Sequence, residues 1–137
     1  MAKQLFLAVA FALLFGAGGL RAQDAGTEIR EVITQQIEAF RAEDLDTAFS
    51  FASPMIKRIF GNSDRFGSMV RNSYPMVWQP ADVRFSALSD QGGRTVQTVL
   101  ITDQSGALFL VDYEMMALDD RWVINGVWVR QADGVGA

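Results

Sequence analysis

Three polar side chains that could bind or transfer a proton stand next to one another in an otherwise apolar part of the chain. They are Asp112, Tyr113 and Glu114. The pattern over residues 107–118 predicts a β-strand, in which neighbouring side chains point to opposite faces of the sheet. Asp112 then shares a face with Glu114, and Tyr113 lies on the other face. Only one of these two sets can line a pocket.

The chemistry open to these residues depends on which face is buried. Burial would raise the pKa of Asp112 and suit it to proton transfer. Asp112 or Glu114 could then work with the hydroxyl of Tyr113 or Tyr74 in an isomerase- or lyase-type reaction. Alternatively, Asp112 pairs with an arginine of the sheet and is structural. The arginines considered for this pairing are Arg84, Arg94 and Arg121. We favour the structural pairing of Asp112 with an arginine over a catalytic role, and we assign no catalytic residue.

The composition excludes several classes of chemistry. The chain of 137 residues contains no cysteine and no histidine. Ser-His-Asp and Cys-His catalysis and conventional zinc, haem and copper sites are therefore excluded. Asp44-x-Asp46 and Asp119-Asp120 lack the oxygen-rich loop that calcium requires. We expect no metal and no cofactor.

The charge of the chain bears on its partners. Twelve basic and 16 acidic residues give a net charge of −4. A negative surface repels phosphate backbones, so a nucleic acid partner is not expected. The same argument predicts repulsion from anionic membrane surfaces.

Four large aromatic side chains are candidates for a ligand pocket or an interface. They are Tyr74, Trp78, Trp122 and Trp128. Each combines an apolar ring with one polar group, as pocket and interface residues do. The alternative is that they belong to the core, which we favour.

The first half of the chain has helical periodicity. Apolar residues at steps of three and four predict a helix over residues 27–41, capped by Thr27 and preceded by a flexible segment over 23–26. Its apolar stripe includes Gln36. Shorter helices are predicted from Asp44 to residue 52, over 55–60 after Ser53-Pro54, and from 62 or 63 to 72. Tyr74-Pro75 is expected to end the helical half.

From residue 83 the apolar period becomes two. Strands are predicted over 83–88, 95–102, 107–118 and 121–130, joined by tight turns. Asn125-Gly126 interrupts the last strand and predicts a bulge. Four strands in series predict an antiparallel meander. The fold class is therefore α+β, with N-terminal helices packed on a curved four-stranded antiparallel sheet.

The N-terminus predicts export. Residues 1–22 combine a charged start, an apolar run over 5–15 and small residues, as a cleavable signal peptide does, with cleavage between Ala22 and Gln23. The apolar run is shorter than the ~20 residues of a membrane span. The alternative is a retained membrane anchor. We expect a periplasmic or secreted protein with one domain over 23–131, a flexible tail over 132–137 and no stable membrane span after cleavage.

Several motifs resemble known families. The pattern Ile33-x3-Ile37-x2-Phe40-x-Ala42-x-Asp44-x3-Ala48-Phe49 resembles the start of cone-shaped domains of the nuclear transport factor 2-like, ketosteroid isomerase-like (SnoaL-like) superfamily. A narrower resemblance is to a bacterial exported family, domain of unknown function 4864. It is carried by the motifs Ala48-Phe49-Ser50-Phe51-Ala52-Ser53-Pro54, Ile59-Phe60-Gly61, Phe66-x2-Met69-Val70, Tyr74-Pro75 and Trp122-x-Ile124-x-Gly126-Val127.

The resemblance implies a fold and an exported location. The wider superfamily holds isomerases, dehydratases and non-catalytic binding modules, so the fold does not decide the activity. We expect a non-catalytic module that binds a small apolar ligand or a protein partner, with a homodimer as one arrangement. The alternatives are the isomerase- or lyase-type enzyme and a structural subunit of an envelope complex.

Overall fold

The computed structural model describes residues 17–132, and their side chains from residue 25 onward. Helix α1 (Ala17–Arg41) begins ten residues before the predicted start at Thr27. The predicted flexible segment over 23–26 is therefore wrong. Residues 17–26 contain no proline that would interrupt a helix. Extending an existing helix by a turn also costs less free energy than nucleating a new one. Gly26 is also buried, and a methyl group added there would lie 3.7 Å from Cδ2 of Leu88.

The predicted signal peptide falls mostly outside the described part of the chain. Its residues 1–16 lie outside, as do residues 133–137 of the predicted tail. The predicted cleavage position, between Ala22 and Gln23, lies within α1 of the full-length chain. Within residues 17–132, no helix combines the length and the apolarity needed to cross a bilayer.

Four short helices follow, and three of them begin at the predicted caps. The bounds are α2 (Leu45–Ser50), α3 (Pro54–Phe60), α4 (Ser63–Ser73) and α5 (Pro75–Trp78). The side chains of Asp44, Ser53 and Asn62 each accept a hydrogen bond from a backbone N–H of the first turn that follows. Helix α5 was not predicted. Pro75 begins this helix instead of ending the helical half, because the first turn needs no N–H from it.

The second half is the predicted antiparallel meander. Its strands are β1 (Asp82–Gln91), β2 (Arg94–Thr102), β3 (Leu108–Leu118) and β4 (Arg121–Gln131), in the spatial order β1-β2-β3-β4. Glu114 pairs with Gly126 and Met115 pairs with Ile124, so Asn125 is the extra residue of a bulge. The bulge predicted at Asn125-Gly126 is confirmed. A second irregularity, between Phe85 and Leu88 of β1, was not predicted.

The core lies between the helices and one face of the sheet, which we call the inner face. Helix α1 buries its apolar stripe there, and the sheet contributes Val99, Val111, Tyr113 and Met115. Asp112 and Glu114 lie on the opposite, outer face, because they alternate with these residues along β3. The architecture is α+β, with the helical segment before the sheet in the chain.

Candidate functional site

An apolar cavity of about 310 Å³ lies between the helical segment and strands β3 and β4. Its apolar lining residues are Phe40, Ala52, Ile56, Phe60, Phe66, Met69, Val70, Val77, Ile124, Gly126 and Val127. Its lining residues with polar side chains are Gln36, Tyr74, Tyr113 and Trp128. No charged residue lines this cavity in the described part of the chain, so an ion inside it would meet no counter-charge.

Aromatic rings form one wall of the cavity. The ring of Phe66, on α4, lies 5.9 Å from that of Phe40 on α1 and 5.6 Å from that of Phe60 on α3. Both contacts are tilted or edge-on, as aromatic pairs prefer. This cluster ties three helices together around a space that the side chains do not fill.

Tyr113 is the sheet residue with the most unusual environment. It is fully buried on the inner face and lines the cavity, and its hydroxyl has no hydrogen-bond partner among the described residues. Burial raises the pKa of Tyr113 well above its ordinary value of 10.0, because the charged phenolate would lose its hydration. At neutral pH the side chain is a phenol, which can donate one hydrogen bond and accept others.

Gln36 supplies an amide to the same cavity from α1. It is buried, with 3% of its surface exposed, and its Nε2 donates a hydrogen bond of 3.1 Å to the carbonyl of Ala48. The bond ties α1 to α2. It also fixes the orientation of the only amide side chain in the cavity lining, as far as the described residues go.

Asp112 takes part in a hydrogen-bonded ion pair on the outer face. Its carboxylate accepts bonds from Nε and Nη2 of Arg130, with a shortest distance of 2.9 Å, and from Oγ1 of Thr98 at 2.7 Å. The partner is Arg130 and not one of the three arginines considered from the sequence. Trp128 stands directly across from Asp112, which makes Arg130 the diagonal neighbour on the same face.

The three arginines named from the sequence have other partners. Arg94 lies 3.4 Å from the carboxylate of Glu114, which also accepts a bond from Asn125. Arg84 pairs with Asp82 at 3.0 Å, and Arg121 reaches the carbonyl of Ser50. Both candidate acids of β3 are therefore held by neutralising partners on the outer face.

The acid and hydroxyl groups required for the isomerase- or lyase-type reaction do not converge. Asp112 and Glu114 lie on the outer face, whereas Tyr113 and Tyr74 line the cavity on the inner side. Among the described residues, no carboxylate lines the cavity with these tyrosines. The arrangement can bind an uncharged molecule and offer it hydrogen bonds, but it holds no acid–base pair.

The four aromatic candidates divide into two groups. Tyr74 and Trp128 are both lining residues of the cavity, but the ring of Trp128 is 49% exposed and lies on the outer face, where the guanidinium of Arg94 is 5.8 Å from its centroid. Trp78 packs against Phe40 with a ring separation of 5.5 Å, and Trp122 packs against the core without lining the cavity. The structure thus brings Tyr74 and Tyr113 together at the cavity, places Trp128 at its edge with the ring on the outer face, and leaves Trp78 and Trp122 elsewhere.

Sequence reasoning did not identify Gln36 as a cavity residue, although the sequence contains a signal for it. An amide in the middle of an apolar helical stripe must be buried with the rest of the stripe, and a buried amide requires partners. The apolar lining residues gave no such signal, because their spacing is that of ordinary core positions.

Comparison with known proteins places the chain in a family. The family model described as a domain of unknown function (DUF4864) matches residues 22–137. The chain belongs to DUF4864. The match covers α1 from residue 22 onward, the other helices, the meander and every residue that lines the cavity of this DUF4864 protein. No curated protein and no solved structure matches the chain.

Proposed function

We propose that this DUF4864 protein is a non-catalytic module that binds a small, uncharged and largely apolar ligand in the cavity. The observation that carries the proposal is the unpaired hydroxyl of Tyr113 beside an apolar space. A buried hydroxyl without a partner costs about 1–3 kcal/mol, and a ligand with one polar group would remove that cost. The volume of about 310 Å³ suits a small ligand.

The absence of charged lining residues indicates which ligands are favoured. Burial of an ion without a partner costs several kcal/mol or more, whereas an apolar body gains about 25 cal/mol per Å² removed from water. A neutral molecule with a single hydroxyl, carbonyl or aromatic amine therefore fits better than a carboxylate or a sulfonate. Tyr113 and Tyr74 are the residues most suited to contact its polar group.

We further propose export and a cone-shaped fold of the nuclear transport factor 2-like superfamily. The signal-like composition of residues 1–22 supports export to the periplasm or the medium, and so does the start of the family match at residue 22. The order of elements and the long helix α1 against one face of a meander support the superfamily. Association with a protein partner or as a homodimer stays a prediction from the sequence.

The other functions considered from the sequence have less support. The enzyme would require an acid near Tyr113 or Tyr74. A role as a structural subunit predicts an extended apolar patch on the outer face. That face carries the pairs Asp112–Arg130 and Glu114–Arg94 beside the exposed ring of Trp128.

A pair of fluorescent probes tests the binding proposal. N-phenyl-1-naphthylamine is neutral, and 1-anilinonaphthalene-8-sulfonate has the same rings with one added sulfonate. We expect the neutral probe to bind saturably and at least about tenfold more tightly than the anionic one, because the cavity offers no cation. Failure of the neutral probe to bind would contradict the proposal.

A matched pair of variants tests whether the probe occupies the cavity. Ile56 lines the cavity, whereas Leu88 lies on β1 and is 42% exposed. Ile56→Trp fills part of the cavity, and we expect it to weaken binding of the neutral probe by about tenfold or more. Leu88→Trp adds the same group to the surface and should leave binding unchanged. Equal effects of the two substitutions would place the probe outside the cavity.

A further inference from the structure

In the described part of the chain, helix α1 contributes two side chains to the cavity lining, and they differ in chemistry. Phe40 is apolar, whereas Gln36 has an amide that can both donate and accept hydrogen bonds. The amide is buried, so bulk water does not supply its hydrogen bonds. Each of its two polar atoms therefore needs a partner in the protein or in the cavity.

The hydrogen bond to Ala48 determines which way the amide of Gln36 faces. A backbone carbonyl can only accept, so the amide atom that contacts it at 3.1 Å must be the donor Nε2 and not Oε1. Oε1 faces away from that carbonyl and accepts no hydrogen bond from the described residues. Protein atoms do not fully enclose Oε1, and the space that Gln36 borders is the cavity.

A structural role explains only one of the two polar atoms of Gln36. The bond from Nε2 ties α1 to α2, and Oε1 takes no part in it. The carbonyl of Ala48 also accepts a bond of 3.4 Å from the backbone N–H of Phe51, so it does not depend on Gln36 for a partner. An apolar side chain at position 36 would leave that carbonyl paired. What the amide adds to the cavity is a free hydrogen-bond acceptor.

We propose that Gln36 makes the cavity selective for ligands that donate a hydrogen bond, and that neutral alcohols are the ligand class. The inference rests on the proposed function and narrows it, since that function alone admits carbonyl compounds as well. A hydroxyl can donate to Oε1 of Gln36, and its oxygen can accept a bond from the phenol of Tyr113. A ketone, an ester or an ether only accepts. Such a ligand would displace solvent from Oε1 without replacing its hydrogen bond, which lowers affinity.

An alcohol and the corresponding ketone isolate the contribution of this acceptor. The two compounds share a carbon skeleton and a number of heavy atoms, so burial of apolar surface favours both nearly equally. A tyrosine hydroxyl can donate to the oxygen of either compound, and the two tyrosines of the lining therefore do not distinguish them. Oε1 of Gln36 can only accept, so it pairs with the alcohol and not with the ketone.

Competition in the wild-type protein provides the first test. The competitors are 1-(2-naphthyl)ethanol and 2-acetylnaphthalene, an alcohol and its ketone, and each is titrated against bound N-phenyl-1-naphthylamine at neutral pH. We expect the alcohol to bind at least about fivefold more tightly, which is the lower end of the effect of leaving a buried acceptor unpaired. Equal affinities, or tighter binding of the ketone, would overturn the proposal.

A matched pair of substitutions on one helix tests whether Gln36 is the source of the selectivity. Gln36→Met replaces the amide with an unbranched apolar side chain, and we expect the alcohol and the ketone then to bind about equally. Gln35→Met makes the same change at the exposed neighbouring position and should keep the wild-type preference. The readout is the ratio of the two dissociation constants, because loss of the tie between α1 and α2 would change both affinities alike. A preference for the alcohol that survives Gln36→Met would overturn the proposal.

The selectivity and the proposed function fail separately. Binding of the naphthylamine probe with equal displacement by alcohol and ketone would retain the cavity as a binding site and remove the role of Gln36. Failure of the probe to bind would remove the proposed function, and the selectivity with it. Should Gln36→Met not fold, the comparison of alcohol and ketone in the wild-type protein still decides whether the cavity prefers a donor, since it requires no variant.

Discussion

Asp112 and Tyr113 are neighbours in β3, and their side chains lie on opposite faces of the sheet. The carboxylate of Asp112 is held on the outer face by Arg130 and Thr98. The hydroxyl of Tyr113 lies inside the core, without a partner among the described residues. Two adjacent polar residues thus differ in role, since one is paired and structural and the other borders a cavity.

The unpaired hydroxyl should reduce the stability of the ligand-free protein. We expect Tyr113→Phe to raise the free energy of unfolding by about 1–2 kcal/mol, because it removes a buried polar group that lacks a hydrogen bond. Urea denaturation at neutral pH measures the change. Tyr74→Phe, at a half-buried tyrosine, is the control and should change stability little. A loss of stability in Tyr113→Phe would mean that the hydroxyl has a partner in solution.

Stability should also fall at high pH because of Tyr113. Burial raises the pKa of Tyr113 above its ordinary value of 10.0, so the folded protein retains a proton that the unfolded chain releases. Above pH 10.0 the native state therefore binds more protons than the unfolded state, and stability decreases as pH rises.

Above pH 10.0 we expect Tyr113 to lower the free energy of unfolding by about 1.4 kcal/mol for each pH unit. Well below that pH, Tyr113 makes no contribution to the pH dependence of stability. Denaturation curves collected at a series of pH values should show this slope in the wild-type protein and a smaller one in Tyr113→Phe. The difference between the two proteins isolates Tyr113, since all other titrating groups are common to both. Parallel curves would show that Tyr113 ionises as readily in the folded protein as in the unfolded chain.

The ion pair on the outer face should affect stability and leave ligand binding unchanged. Asp112→Asn removes the charge that holds Arg130 and keeps the size of the side chain. We expect a loss of about 1 kcal/mol that shrinks in high salt, because Arg130 is 53% exposed and its interaction is screened. Binding of the neutral naphthylamine probe should be the same as in the wild-type protein. A large loss of binding would give Asp112 a role at the cavity.

Local sequence signals predicted most of the fold. Asp44, Ser53 and Asn62 act within one helical turn, and the bulge at Asn125 follows from a break in alternation within one strand. Such features depend on a few neighbouring residues, so the sequence contains what is needed to predict them. The start of α1 was missed because Thr27 is a good capping residue by type, whereas the helix continues through it to Ala17.

The candidate site could not be predicted in the same way, because it is formed by contacts between residues that are distant in sequence. The alternation of side chains in β3 placed Asp112 and Tyr113 on opposite faces of the sheet. It did not indicate which of the two is buried, since both faces of the strand carry apolar residues. The partner of Asp112 depends on the register between β3 and β4, which places Arg130 diagonally across from it. The cavity is a gap between six elements and has no sequence pattern of its own.

The packing of α2 against α4 provides a last test, which concerns the helices around the cavity. Gly67 of α4 is buried, and a methyl group added there would lie 2.6 Å from Cδ2 and 2.7 Å from Cδ1 of Leu45 on α2. These distances are shorter than any van der Waals contact. Gly67→Ala gains up to about 1 kcal/mol of helix propensity, whereas overpacking costs about 1–3 kcal/mol.

We therefore expect Gly67→Ala to destabilise the protein by about 1 kcal/mol, because the crowding outweighs the gain in propensity. The same substitution in a Leu45→Ala background should be neutral or stabilising, since the shortened side chain leaves room for the methyl group. Urea denaturation of the four proteins of this double-mutant cycle measures the coupling, which should exceed about 1 kcal/mol. Additive effects would show that α2 and α4 can move apart at this contact, and the cavity wall formed by Phe66 would then be less rigid than its aromatic contacts indicate.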